Sequence, residues 1–171
     1  MHIAYASFPS ALGAVCCARS ERGLVALDLD ASPAVFAQRL LARGFIPAFD
    51  ADALPDVAAQ IEEYAAGERR AFDIPLDLSH LTPFRQEVIR AVCAIPYGEW
   101  RSYGRIAEAI GRPRAARAAG TAMATCPISL IVPCHRVVRA GVTPKTASGD
   151  AGERARLALI RFERRVAREL L

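Results

Sequence analysis

The chain has 171 residues, 53% of them apolar, and a formal net charge of +4. That is enough for one large core or two small ones, and it excludes a disordered tail. The longest apolar stretches, "AVCCA" and "ISLIVP", fall far short of a membrane span, and "MHIAYASFPS" lacks the basic start and apolar run of a secretory signal. A cytoplasmic protein with no membrane partner is expected.

The first third alternates strand-like runs with turn signals: "HIAYASF", "AVCCAR" and "LVALDLD", separated by "PSALG" and "SERG". This predicts a three-stranded antiparallel meander. Two helices follow, "SPAVFAQRLLARG" with a Ser-Pro start and a Gly stop, and "LPDVAAQIEEYAAG" with apolar residues at helical spacing. "AFDIPLDLSHL" reads as a connector with room for a short strand.

From Thr82 the pattern becomes helical. Thr82 and Pro83 fit the N-cap and first helical positions, and Phe84, Val88, Ala91, Val92 and Ile95 make one apolar face. "SYGRIAEAIG" and "RPRAARAAGTAMATC" then form two short helices around a Gly-Arg-Pro turn, the second bearing Arg114 and Arg117. This is helix-turn-helix spacing, a pattern shared by many ordinary helical hairpins. Charge divides at the same place: residues 1–81 carry 6 basic and 11 acidic side chains, residues 82–171 carry 16 and 7. The excess suits a polyanion partner, although a solvated arginine-rich surface fits charge alone equally well.

Five cysteines, an odd number at irregular positions, argue against a disulfide framework. Cys16 and Cys17 are adjacent and His2, His80 and His135 are scattered, which is not metal-site spacing, so no metal is expected. Cys16, Cys17 and Cys93 fit buried, inert positions. Cys134 differs, because His135 and Arg136 stand beside it and a nucleophilic thiol needs a base or a positive field. Neighbours in an extended segment point to opposite faces, so His135 would act through a water or a bend, with Pro133 fixing a kink.

"PCHRVV" after "SLIV", preceded by "SYGRIAEAIGRPRAARAAGTAM" and "TPFRQEVIRAVCAIPYGEW", resembles the alkylguanine-DNA alkyltransferase family, especially its bacterial members and the C-terminal half of the adaptive-response protein. The resemblance implies an α/β protein: residues 1–78 a small ribonuclease H-like sheet domain, residues 79–171 a winged-helix-like helix-turn-helix domain. It also implies repair of double-stranded DNA containing alkylated guanine. An extruded base would present its alkyl carbon to Cys134, and the thioether formed would allow one turnover without any cofactor. His135 would take the thiol proton, oriented by Glu163, and Tyr103 would press on the phosphate and donate to the leaving purine. Arg117 would fill the vacated stack, with small residues around it (Ala115, Ala116, Ala118, Ala119, Gly120) allowing close approach to the minor groove. Gly104, Arg112, Arg114, Ala116 and Arg85 complete the expected DNA contacts. Pro133, Ser129, Val137 and Ser148 are the expected pocket, and the protein is expected to be a monomer.

Two segments depart from the family. Cys126 replaces an asparagine whose amide braces the turn ahead of the nucleophile, which leaves either a looser active segment or a thiol able to pair oxidatively with Cys134. The aromatic lid is absent; Ala147, Ser148 and Gly149 stand there, predicting a wider pocket. With the loop two residues longer than usual, Arg156 falls on the family's lysine. The alternatives are a damage sensor that flips the base without chemistry, and a plain helix-turn-helix regulator, which leaves "PCHRVV" unexplained.

Overall fold

The computed structural model describes residues 1–143 and 151–169. The chain divides into two compact units, Met1–His80 with Pro127–Ile131, and Leu81–Cys126 with Val132–Leu171. The first unit thus takes in a segment, Pro127–Ile131, from far along the chain.

In the first unit, β1 (His2–Ser10), β2 (Gly13–Ser20) and β3 (Gly23–Leu29) form the expected antiparallel meander. Gly23 makes the tight approach at the start of β3: its φ is +148°, and a Cβ there would lie 2.4 Å from the Pro75 carbonyl oxygen. A fourth strand, β4 (Ile46–Phe49), pairs with β1 in parallel and gives the order β3-β2-β1-β4. The sheet is therefore mixed rather than purely antiparallel. Pro47 masks β4 in the sequence, since proline is tolerated only where a strand does not need that N–H, as at this edge.

Strand alternation explains the adjacent cysteines. Cys16 and Ala18 share a core cluster with Phe36 and Leu40 of α1 (Pro33–Ala42), whereas Arg19, odd-numbered like Cys17, reaches Asp56 of α2 (Pro55–Ala65) at 2.5 Å. Ser32 caps α1 by accepting from the Val35 N–H, and Phe36 and Leu40 are each worth roughly 1.5–3 kcal/mol of apolar burial. The outer edge of β3 is covered by two single bridges, Leu24 with Leu76 and Leu27 with Ile128. Asp77 fastens the first: it accepts from the Ser20 and Ser79 hydroxyls, both at 2.6 Å.

The second unit is helical. Thr82 caps α3 (Pro83–Cys93) through the Arg85 N–H, as its sequence position predicts. Val88, Val92 and Ile95 are buried, joined by Ile89, while Phe84 and Ala91 are only half-buried. Next come β5 (Arg101–Ser102), α4 (Tyr103–Ala109) capped by Ser102, a 3-10 turn at Pro113–Ala115, and α5 (Ala116–Ala124). α4 and α5 form the helix-turn-helix pair. A second 3-10 turn, Cys134–Arg136, leads into β6 (Val137–Val138), which pairs in parallel with β5. The last helix, α6 (Ala151–Arg168), turns Leu157, Ile160, Glu163 and Val166 inward at three-residue spacing. Among the described residues no helix is long and apolar enough to cross a membrane.

Candidate active site

Two tight turns in succession deliver the thiol. The Ile131 N–H bonds to the Ser129 carbonyl at 2.8 Å around Leu130, whose φ is +68°, an uncommon conformation for a bulky side chain. The Cys134 N–H then bonds to the Val132 carbonyl at 2.7 Å around Pro133, at φ −76° and ψ 60°. That is an inverse γ-turn, and proline's ring sets its φ in advance. The kink expected at Pro133 takes this form.

The 3-10 turn sends the side chains of Cys134 and His135 in different directions. His135, 3% exposed, places Nε2 2.7 Å from Oε1 of Glu163, which is fully buried. Arg136 is also buried and clasps the same carboxylate, with Nε 2.9 Å from Oε2 and Nη2 2.9 Å from Oε1, while Nη1 donates to the Ile95 carbonyl at 2.7 Å. The Gly98 N–H adds a 2.9 Å bond to Oε2 from a residue at φ +78°. One negative and one positive charge therefore balance inside the unit, with a neutral imidazole beside them.

Burial alone would raise the Glu163 carboxyl, but hydrogen bonds from His135 and Arg136 outweigh it and hold the carboxyl at about 2. For His135, burial depresses the ring below its ordinary 6.5 despite the carboxylate's opposite pull. An ionised carboxylate can only accept, so the neutral ring carries its proton on Nε2 and keeps a lone pair at Nδ1. That lone pair is what a general base requires.

Cys134 is half-buried and its thiol is pushed well above the ordinary 9.0, first by a hydrogen bond with the Cys126 side chain, then by burial and by Cys126 and Cys93; Arg156 pulls the other way. The resting sulfur is a neutral thiol. Replacing Cys126 with alanine is expected to lower this pKa and to speed alkylation of Cys134 by iodoacetamide at pH 8 several-fold, measured by peptide mass spectrometry; an unchanged rate would exclude the thiol–thiol contact as the cause.

A cleft of about 660 Å³ lies in the same unit, lined by Tyr103, Arg117, Gly120, Val137, Arg139 and Arg156 among others. The Tyr103 hydroxyl accepts from Arg156 Nη1 at 3.0 Å, and the Tyr103 ring lies 3.9 Å from where a Gly120 Cβ would stand. Arg156 links cleft and thiol, because it lines the first and its charge acts on the second. Ala116 also lines the cleft, and Arg117 is exposed.

The other sequence-predicted residues scatter more widely. Cys134, Pro133 and Ser129 are not among the cleft's lining residues; Ser129 belongs to the first unit, its N–H bonded to Leu27. Ser148, with Ala147 and Gly149, lies outside the described residues. Arg114 is exposed, Gly104 is half-buried in α4, and Ala119 is buried in α5. Arg112 pairs with Glu87 at 3.1 Å, and Arg85 holds the Thr125 carbonyl and hydroxyl. Sequence reasoning missed Gly98 and Arg136 as holders of Glu163. "PYGEW" offered only a glycine, and Arg136 read as a field near the thiol. Among the described residues no group of side chains could hold a metal ion.

Comparison with known proteins matches each half to a family model: residues 3–78 to the ribonuclease-like domain, and residues 83–165 to the DNA-binding domain, of 6-O-methylguanine DNA methyltransferase. The methylated-DNA–protein-cysteine methyltransferase of Mycobacterium tuberculosis is 45% identical over 115 residues, 67% of this chain and 68% of that one. The protein of that name from Mycobacterium leprae is 43% identical over 121 residues, 71% and 70%. The crystal structure of M. tuberculosis OGT in complex with DNA superposes with a TM-score of 0.78 at 36% identity, covering 95% of this chain and 94% of that one. The mixed sheet unit and the helical unit are thus two matched parts of one known architecture, and the chain belongs to the 6-O-methylguanine DNA methyltransferase family.

Proposed function

We propose that this chain repairs double-stranded DNA by moving the alkyl group from the O6 position of guanine onto Cys134, acting as a monomer. The family's DNA-repair alkyl transfer is the activity of this enzyme. The observation that carries the residue-level reading is the His135–Glu163–Arg136 cluster: a neutral histidine, its proton fixed on Nε2 by a buried carboxylate, one residue from the thiol. His135 takes the thiol proton through a bridging water, and the sulfur attacks the alkyl carbon in line with the carbon–oxygen bond. That bond breaks toward the purine, which accepts a proton from the Tyr103 hydroxyl. The product is a thioether, which water does not cleave, so each molecule reacts once.

The raised thiol pKa fits this use. A neutral sulfur resists adventitious oxidation and alkylation until a seated substrate makes deprotonation worthwhile. The base leaves the duplex by rotation into the site, Arg117 replacing it in the stack; the cost is a few kcal/mol, least where pairing is already weakened. Arg117 stands exposed on the first turn of α5 beside the cleft.

Intact-mass measurement after mixing the protein with a duplex containing one O6-methylguanine tests the reading. One methylene gained, mapped to Cys134 and absent in Cys134→Ser, is the expected result. Binding with no change of mass would support the sensor alternative, which leaves the thiol without a task.

A further inference from the structure

We propose that Arg85 is a positioning residue that acts through Arg117: from the first turn of α3 it holds the C-terminal end of α5 and, along a row of hydroxyl bonds, the turn of α5 that presents Arg117. The inference rests on the proposed role of Arg117 in base extrusion. Thr125 is the C-cap of α5, where backbone carbonyls have no partner within the helix. Arg85 Nη2 donates to the Thr125 carbonyl and, at 3.1 Å, to the Thr125 hydroxyl. That hydroxyl, accepting from a cation, donates its own proton to the Thr121 carbonyl at 2.9 Å, and the Thr121 hydroxyl donates to the Arg117 carbonyl at 3.2 Å. Arg117, Thr121 and Thr125 are spaced four apart and share one face of the helix. A continuous row of bonds therefore runs from Arg85 to Arg117.

The same part of α3 grips the entry to α5. Glu87 pairs with Arg112 at 3.1 Å, and the Arg112 guanidinium lies over the Phe84 ring, 5.6 Å from its centroid, just ahead of the 3-10 turn that leads into the helix. Phe84, Arg85 and Glu87 thus hold α5 at both ends. Arg85 is itself seated: its N–H is taken by the Thr82 cap, its side chain is half-buried, and its Nε is shut off from solvent. A cation at the C-terminus of α5 also suits the negative end of the helix dipole. Arg85 and Arg112, both expected from the sequence to touch DNA, are therefore engaged within the protein. Placement matters more here than binding strength, because a displacement of about 1 Å in a positioning group can slow a reaction by roughly 100-fold.

Arg85→Leu in the full chain removes the donors and keeps the aliphatic bulk. Its single-turnover methyl transfer at saturating O6-methylguanine duplex should be roughly tenfold slower, with DNA affinity and its salt dependence unchanged. Arg85→Lys, which restores one donor to the Thr125 carbonyl, should recover part of the rate. Combined with Arg117→Ala, the leucine substitution should add no further loss, because its effect passes through Arg117. Hydrogen exchange gives a readout independent of activity: amides over residues 117–126 should exchange faster in Arg85→Leu and be restored in Arg85→Lys. Should the leucine variant not fold, Thr125→Ala, which breaks the row at its hydroxyl, should show the same faster exchange and the same non-additivity. A salt slope shallower by about 0.9 with an unchanged plateau rate would make Arg85 a phosphate contact and overturn the inference. So would a double variant slower than Arg117→Ala, or exchange and rate both unchanged. Should the wild type never gain a methylene while the exchange pattern holds, the functional reading fails and the grip on α5 stands.

Discussion

Replacing Glu163 with alanine is expected to lower stability by about 3–5 kcal/mol, because it strands the buried Arg136 guanidinium and removes the acceptor for His135 and Gly98. Urea unfolding measures this directly. Glu163→Gln separates catalysis from stability. The amide keeps the shape and can still accept from Gly98, but it can also donate to Nε2 and so favour the tautomer with the proton on Nδ1, where the lone pair is needed. In the proposed reaction its single-turnover transfer rate should fall by roughly 100-fold or more, out of proportion to its loss of stability. A rate that merely followed the folded fraction would reduce Glu163 to a structural role.

The same cluster sets a pH dependence. Glu163 is depressed from 4.5 to about 2 and His135 is depressed below 6.5, so the unfolded chain binds protons more readily at both groups. Stability therefore rises with pH through both windows. The carboxylate's contribution is complete above about 4.5 and is lost as pH falls toward 2; His135 adds a loss beginning below 6.5. Glu163→Gln should flatten the more acidic limb.

Local signals were legible wherever one residue decides a local conformation. Thr82 and Ser32 before proline mark helix starts, Gly23 marks a hairpin, and Pro133 marks the bend that presents Cys134. The fourth strand was not, because Ile46–Phe49 contains proline and is held only by pairing with distant β1. The carboxylate relay was half legible. Glu163 sits at three-residue spacing from Ile160 and Val166, where periodicity alone calls for an apolar side chain, and only the resemblance marked it. Gly98 and Arg136 join it from separate elements 65 and 27 residues away, and nothing local announces such a meeting. Cys126 was visible as a departure; that it raises the Cys134 thiol required the folded chain.

Tyr103 and Arg117 line one cleft, yet in the proposed reaction they do different work, and a pair of substitutions should separate them. The Tyr103 oxygen accepts from Arg156, which leaves its own O–H available as the donor that the proposed reaction requires. Tyr103→Phe preserves the ring beside Gly120 and removes only the proton, so transfer should slow by roughly 100-fold, as expected for loss of a general acid, with DNA affinity little changed. Arg117→Ala removes the group that fills the stack and should slow transfer by making extrusion less favourable. Placing the methylated guanine opposite a gap removes much of the pairing to be broken, so the Arg117 variant should recover most of its rate while the Tyr103 variant stays slow. Equal recovery of both would mean that Tyr103 acts on extrusion as well, and that the leaving purine takes its proton from elsewhere.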